Sequence, residues 1–478
     1  MKKKITHFQK KIIFFLLVLF SSLGNHLLAD VPIDSTTFPP QIIDRIIITG
    51  NNKTKPRIIL RELLFHEGDS LNPFVLNSAI ATSKENLLNI GLFNFVDFHI
   101  YQALHGHVDI QIEVTERWYL FPFPVFDIAD RNFNEWWSKR DFNRVNYGIR
   151  VSQENFRGRD EILQFQFIFG YSQRLGIYYT IPYINRKQNI GLTMAVYGIR
   201  NHEIAYDSPN NKLVFYKNPD EFVRNDLQGY VRITKRKGIY SYFNTTVDFR
   251  STRIADTIRF LNPDYFVTSN PIQNHIGISW GYIFDKRDYR SYAMNGYFFE
   301  MEATKLGIGL LNNEPNLIEI TAGIRKFQSL SKRFNIQASI KGRVVQKEDA
   351  PYFNQRALGY SADYIRGYDY YVINGQNFLL MRSNLRYTLM QTHVYELPVI
   401  NSNKFKKVPL ALYLNGFYDS GYVTDNRFAY KNPLANSWQY GYGIGLDIVT
   451  YYDLVFRFEY TRNRLNENGL FFHIGSAF

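Results

Sequence analysis

FNIQASIKGRV, residues 334–344, sets Phe334, Ile336, Ala338, Ile340 and Val344 against Asn335, Gln337, Ser339, Lys341 and Arg343. A helix of 3.6 residues per turn would scatter these two sets around its circumference, whereas an extended strand puts one set on each face. ILQFQFIFGY (162–171) repeats the pattern, with Leu163, Phe165, Phe167, Phe169 and Tyr171 opposite Gln164 and Gln166. So does HIGISWGYIF (275–284), with Ile276, Ile278, Trp280, Tyr282 and Phe284 opposite His275, Gly277, Ser279 and Gly281. Between Trp118 and Phe478 sixteen such runs of about ten residues follow one another, without an amphipathic helix. Connections after the even-numbered runs are mostly short and polar (NFRG, NRKQ, KRKG, SLSKR, YYD), while those after odd runs include 201–225, 251–272, 347–376 and 420–437. An even strand count with short turns at one end and long loops at the other is the pattern of an outer-membrane barrel. Both chain ends of the barrel then fall on the short-turn, periplasmic side.

The composition agrees. Trp, Tyr and Phe number 5, 35 and 40 of 478 residues, yet mean hydropathy is only −0.28. Aromatics favour strands, and a polytopic helical protein would need several nearly continuous apolar spans of about 20 residues. A soluble sandwich would alternate too, but would bury its apolar face as a core and would not follow an export signal. Residues 1–11 (MKKKITHFQKK) are basic, 12–20 (IIFFLLVLF) are apolar, and Leu27-Leu28-Ala29 precedes Asp30. This predicts a signal peptide over 1–29 and a linker over 30–40. Five lysines lie in that leader and lower the formal charge of +13 to about +8 for the remainder. The rest are spread singly through aromatic strands, so no nucleic-acid partner is expected. With no cysteine there is no disulfide framework, thiolate nucleophile or acylation site.

Residues 41–117 read differently. QIIDRIIIT (41–49) is a strand ending at Gly50-Asn51, and 54–65 place Ile59, Leu60, Leu63 and Leu64 on one helical face. Asn72 is a good N-cap with Pro73 behind it, Leu76, Ile80, Leu87 and Ile90 follow at helical spacing, and Gly91 terminates. FNFVDFHIY (93–101) and HVDIQIEVTE (107–116) form a hairpin. His105 and His107 flank its turn but lack the further ligands of a metal site, so no metal is expected.

This βααββ order, with Asn89-Ile90-Gly91-Leu92-Phe93-Asn94-Phe95-Val96 and the IxVTER ending at 112–117, resembles a POTRA (polypeptide-transport-associated) domain. The fold class expected is therefore an all-β membrane barrel of about 16 antiparallel strands, residues 118–478, preceded by a small α+β POTRA-like domain, residues 41–117. The whole of 41–478 resembles the BamA/TamA superfamily of outer-membrane assembly and translocation barrels, the bacterial surface antigen proteins. Asp285-Lys286-Arg287-Asp288 with Gly296 is similar to that family's DxRD turn, with Ala293 where proline is common. Ile365-Arg366-Gly367-Tyr368 is similar to the tip of its sixth surface loop. Asp419, on the lumenal side of a strand whose Leu410, Leu412, Leu414 and Tyr418 face lipid, matches the aspartate that holds the loop arginine. LFFHIGSAF (470–478), with Phe472, Ile474, Gly475 and Phe478, resembles the family's terminal insertion signal. Where relatives carry a second acid for the arginine, this chain has Asn384-Leu385-Arg386. Asp419 is then expected to hold Arg366 alone, or Glu300 and Glu302 to substitute, and Arg386→Glu to compensate in part for loss of Asp419.

Gly277-Ile278-Ser279-Trp280-Gly281 matches GxSxG, but a nucleophile elbow needs a strand-to-helix turn and this stretch is mid-strand. No catalysis and no cofactor are expected. The resemblance implies insertion or translocation of unfolded outer-membrane or secreted polypeptides, with outer-membrane lipids and accessory lipoproteins as further partners. The alternatives are a two-partner-type secretion transporter for a dedicated exported protein and a structural or passive pore. An exposed POTRA strand could add an incoming chain to its sheet. A barrel whose first strand contains Phe121-Pro122-Phe123-Pro124 should close poorly against its last strand.

Overall fold

The computed structural model describes residues 39–474 apart from 103–105, 129–135, 137–139, 141–143, 267, 347–349, 361, 397, 399–405 and 451–453. The leader, most of the linker, His105, Gly475 and Phe478 therefore lie outside the described residues.

The first unit is built on β1 (Gln41–Thr49), α1 (Pro56–Leu60), β2 (Ser70–Leu71), α2 (Pro73–Asn89), β3 (Phe93–Gln102) and β4 (His107–Glu116). Its sheet runs β2-β1-β4-β3, with β1 and β4 parallel and β3 antiparallel to β4, so among the described residues one edge of β3 has no neighbouring strand. Asn72 Oδ1 accepts from Phe74 N at 2.9 Å, which caps α2, and Gly91 takes φ +74° just past its end. The helices cover one face of the sheet, closing a core of Ile43, Ile58, Phe65, Leu76, Leu87 and Ile110. The first helix is shorter than its sequence pattern suggests. It stops at Leu60, and Leu60 and Leu64 are exposed while Ile58, Ile59 and Leu63 are buried. Beyond Arg61 the chain leaves the helix because Leu64 N bonds to Ser83 Oγ on α2 at 3.0 Å and the Glu62 carboxylate is drawn to an arginine of the barrel.

The second unit is one meander of sixteen antiparallel strands: β5 (Leu120–Ile128), β6 (Val145–Phe156), β7 (Glu161–Gly170), β8 (Ser172–Ile181), β9 (Ile190–Asn201), β10 (Arg224–Lys237), β11 (Ser241–Ile254), β12 (Ile272–Arg287), β13 (Gly296–Leu306), β14 (Leu317–Ser329), β15 (Phe334–Val345), β16 (Asn377–Glu396), β17 (Lys407–Thr424), β18 (Gln439–Val449), β19 (Val455–Asn463) and β20 (Asn468–Ile474). The alternation sorts as expected: Phe334 and Ile336 face outward, while Asn335 and Gln337 are buried in the lumen. No helix among the described residues is long and apolar enough to cross a membrane.

Loops at the long-connection end pack against one another. Two small hairpins there, 203–207 with 214–217 and 356–358 with 373–374, are absent from the sequence reading. A second core of Ile204, Val223, Ile254, Ile258, Tyr265 and Phe353 ties the loops together. Asn211 donates to Val372 O at 2.9 Å, and Arg427 pairs with Asp264 at 2.5 Å.

The POTRA-like unit seats on the short-turn end. Lys55 N donates to Gly158 O at 3.0 Å in the β6–β7 turn. Nη1 and Nη2 of Arg236, at the end of β10, reach the Glu62 carboxylate at 2.7 and 2.6 Å. Asn89, ending α2, donates to Asp288 O at 3.1 Å and accepts from Arg290 N at 3.2 Å in the β12–β13 turn.

Candidate functional site

Residues 362–376 enter the lumen and carry Arg366 to a buried position against β17. Its Nε and Nη2 form a fork on Asp419, 2.7 Å to Oδ2 and 2.5 Å to Oδ1, and its own amide N adds a 3.1 Å bond to Oδ2. Asp419 is wholly buried, and the guanidinium lies 3.9 Å from the Phe417 ring centroid. Tyr368 donates its hydroxyl to Gln439 at 2.9 Å, and Ile365 and Tyr368 pack among Leu358, Phe378, Leu380 and Val423. Two glycines permit this descent. Gly367 has φ +89°, and a Cβ on Gly441 would sit 1.9 Å from the Arg366 carbonyl oxygen.

Arg366 has a second carboxylate after all. Glu459 on β19 accepts from Nη1 at 3.2 Å and is almost fully buried. The expectation of a single acid, with Glu300 and Glu302 in reserve, is thereby corrected. Glu300 is engaged by Arg325 at 3.2 Å, and Glu302 accepts from Thr304. The signal lay in VFRFEYTRN (455–463), whose alternation puts Arg457, Glu459 and Thr461 in the lumen. His473 on the last strand approaches the same cluster, 3.3 Å from Asp369 and 3.6 Å from Glu459.

Asn384 and Arg386 serve elsewhere. Arg386, buried, donates to Ala293 O at 2.9 Å and to Gln337, and its guanidinium lies 4.2 Å from the Tyr292 ring centroid. Both Ala293 and Tyr292 belong to the turn that follows Asp285-Lys286-Arg287-Asp288. Arg287 forks onto Asp285 at 2.8 and 2.9 Å, and Asp288 accepts from Tyr289 N, Met294 N and Asn295 N at 2.8, 3.0 and 2.9 Å. Gly296 closes the turn at φ +102°, where a Cβ would lie 2.0 Å from Lys286 O. Held so, the turn folds into the barrel. Tyr292 is buried, stacks on Tyr413 at 4.7 Å and donates to Asp447 at 2.7 Å. Arg457 bridges Asp447 (3.2 Å) and Glu459 (3.9 Å). A chain of contacts thus joins Asn89 of the POTRA-like unit, the turn, Tyr292 and the acids around Arg366.

β5 pairs with β6 and β20 with β19, and among the described residues no strand pairing joins β5 to β20. On β20, Phe472 and Ile474 share the outward face with Leu470. Ser279 of the GxSxG stretch sits in the middle of β12, paired on both sides, with its hydroxyl 3.0 Å from that of Thr304. His107 lies 2.5 Å from Asp44 on β1, and no cluster of metal-ligating residues occurs among the described residues.

Residues 41–117 match the POTRA family, described as surface antigen variable number repeat. Over 75 residues the chain is 33% identical to the outer membrane protein assembly factor BamA of Neorickettsia risticii, and the aligned stretch is 16% of this chain and 10% of that protein. BamA from Haemophilus ducreyi lacking POTRA domains 1–3 superposes with a TM-score of 0.51 at 13% identity, over 91% of this chain and 84% of that one. CdiB from Escherichia coli superposes with a TM-score of 0.54 at 10% identity, over 91% and 75% of the two chains. At such identities the likeness is one of fold, a POTRA domain followed by a sixteen-stranded barrel.

Proposed function

We propose that this protein resides in the bacterial outer membrane, with its POTRA domain in the periplasm, and assists the insertion or translocation of extended polypeptides without covalent chemistry. The observation that carries this reading is that, among the described residues, no strand pairing joins β5 to β20. In hydrocarbon an unpaired strand edge is costly because no water reaches its N–H and C=O groups. Such an edge is kept open where another strand is to be added. The loop locked by Arg366 and the inserted Tyr292 occupy the lumen, which favours a route along the seam over one straight through the barrel. The free edge of β3 supplies a first landing place by main-chain hydrogen bonding, with little demand on sequence. Outer-membrane lipids bound the seam, and accessory lipoproteins would dock on the POTRA domain. The test is depletion followed by outer-membrane proteomics. Loss of several unrelated barrels is expected. Loss of one exported protein with barrels unchanged would point instead to a dedicated secretion transporter.

A further inference from the structure

We propose that the long-connection end of the barrel holds a binding site for a phosphate group, centred on Arg356 and Arg224; the proposal is independent of the seam reading. Three guanidinium groups gather around one ring there. The Cζ atoms of Arg224, Arg250 and Arg356 lie 5.2, 4.9 and 5.8 Å from the Phe353 ring centroid. Each cation is drawn to the ring face, but the cations repel one another. A single carboxylate answers them. Asp226 on β10 lies 2.6 Å from Arg224 and 3.6 Å from Arg250, and its other oxygen accepts from Thr252 at 2.5 Å. Arg356 has ring contacts with Phe353 and Tyr360 but no carboxylate partner among the described residues. The buried Nε of Arg224 has no acceptor among them either.

The neighbouring acids are engaged. Glu203 pairs with Arg144, Asp207 with Lys431 and Asp264 with Arg427. Glu300, Glu319 and Asp363 face Arg325, Arg343 and Lys341, and Glu302 accepts from Thr304. Arg144, Arg224, Arg250 and Arg356 therefore share two carboxylates, Glu203 and Asp226, which leaves two positive charges in excess. Space for a ligand lies beside them. Tyr352, Phe353, Ala357 and Leu358 are buried, whereas Arg356 between them is exposed and lines a cavity of about 290 Å³. Arg224, Ser172, Phe215, Tyr352 and Tyr360 line the same cavity. Ser172 Oγ accepts from Asn201 at 2.6 Å, which leaves its own O–H to donate. A phosphate monoester carries about −1.5 to −2 charge at pH 7 and three terminal oxygens, matching both the charge excess and the several donors around the cavity. Guanidinium forks suit those oxygens. The rings of Phe215, Tyr352 and Tyr360 would flank whatever the phosphate is attached to.

The test is calorimetric titration of the folded full chain in detergent with inorganic phosphate, glucose 1-phosphate or glucose. About 0.15 M NaCl screens long-range attraction. Saturable binding of the two phosphates and none of glucose is expected. Arg356→Gln, which breaks no ion pair, should weaken binding by about tenfold or more, because a hydrogen bond to a charged group is lost. Arg356→Lys, keeping the charge without the fork, should fall between, and Arg462→Gln on the hairpin β19–β20 should change nothing. Phosphate should also slow protease cleavage within 203–217 in the unsubstituted protein, a readout that needs no variant. Tighter binding of glucose 1-phosphate would name a phosphorylated sugar as the source, and equal or tighter binding of inorganic phosphate would name the free ion; either upholds the site. No saturable binding of either phosphate would overturn it, as would equal binding by heat-modifiable Arg356→Gln.

Discussion

Arg366 is held by three bonds to Asp419 and one to Glu459, and this division sets how each loss should register. Removing one partner of a buried pair typically costs about 3–5 kcal/mol. Asp419→Asn should therefore open the loop to protease and lower the temperature of heat modification strongly. Glu459→Gln should have a smaller effect, because the fork on Asp419 survives it. Arg366→Ala should match Asp419→Asn, and wild-type loop protection in both would remove the lock from the account. Arg386→Glu should deepen the defect of Asp419→Asn, since it would put a carboxylate against Gln337 Oε1 and the Ala293 carbonyl. The pairing of Arg366 with Asp419 could be read from strand parity and loop position. Glu459 was readable as lumenal but not as a partner, because alternation names the face of a side chain and not what the loop brings to it. Arg386 was misread for the same reason: Ala293 and Tyr292, which hold it beside Gln337, come from a turn, where no periodicity applies.

The turn from Asp288 to Asn295 behaves as a small domain of its own, pinned by the Asp288 carboxylate and wedged by Tyr292. Tyr292→Phe deletes the bond to Asp447 and leaves a buried acceptor short of a donor, a loss of about 1–3 kcal/mol. Tyr292→Ala also strips the ring from Arg386 and should cost roughly 3–5 kcal/mol. Because Asp447, Arg457 and Glu459 connect this ring to the loop arginine, Tyr292→Ala is expected to increase protease cleavage within 346–376, whereas an exposed change such as Tyr289→Ala in the same turn should not. The sixteen strands were legible in sequence because a wall between lipid and a polar lumen enforces a strict period of two. The first helix was over-read, since Ile58 to Leu64 keep a helical spacing that the Ser83 contact cuts short. The loop hairpins have two to five residues per strand, too few for a period to show.

Docking of the POTRA domain on the barrel converges on a charge cluster at the first helix. Burial pushes the Glu62 carboxyl up, but the Arg236 fork and Arg61 outweigh this and hold it below the usual range. Asp160 lies 3.5 Å from Arg61; burial pushes its carboxyl up to about 7, with Arg61 opposing and Glu62 adding to the rise. An acid whose value is raised on docking binds its proton more tightly in the docked state, so docking weakens as pH rises from about 4 to about 7 and changes little above that. The chain has no cysteine, so spin labels on Phe74→Cys and Leu330→Cys can report the separation of the two units. The distance distribution should be narrower at pH 5 than at pH 8, and Asp160→Asn should abolish the difference. A distribution that sharpens with rising pH would contradict this assignment. The loops packed on one another at the far end, with Arg366 and Tyr292 buried in the lumen, carry an electrical consequence. With that loop and turn inserted, the protein is expected to pass little current in a planar bilayer at any voltage, and Arg366→Ala, by freeing the loop, should convert that silence into flickering steps.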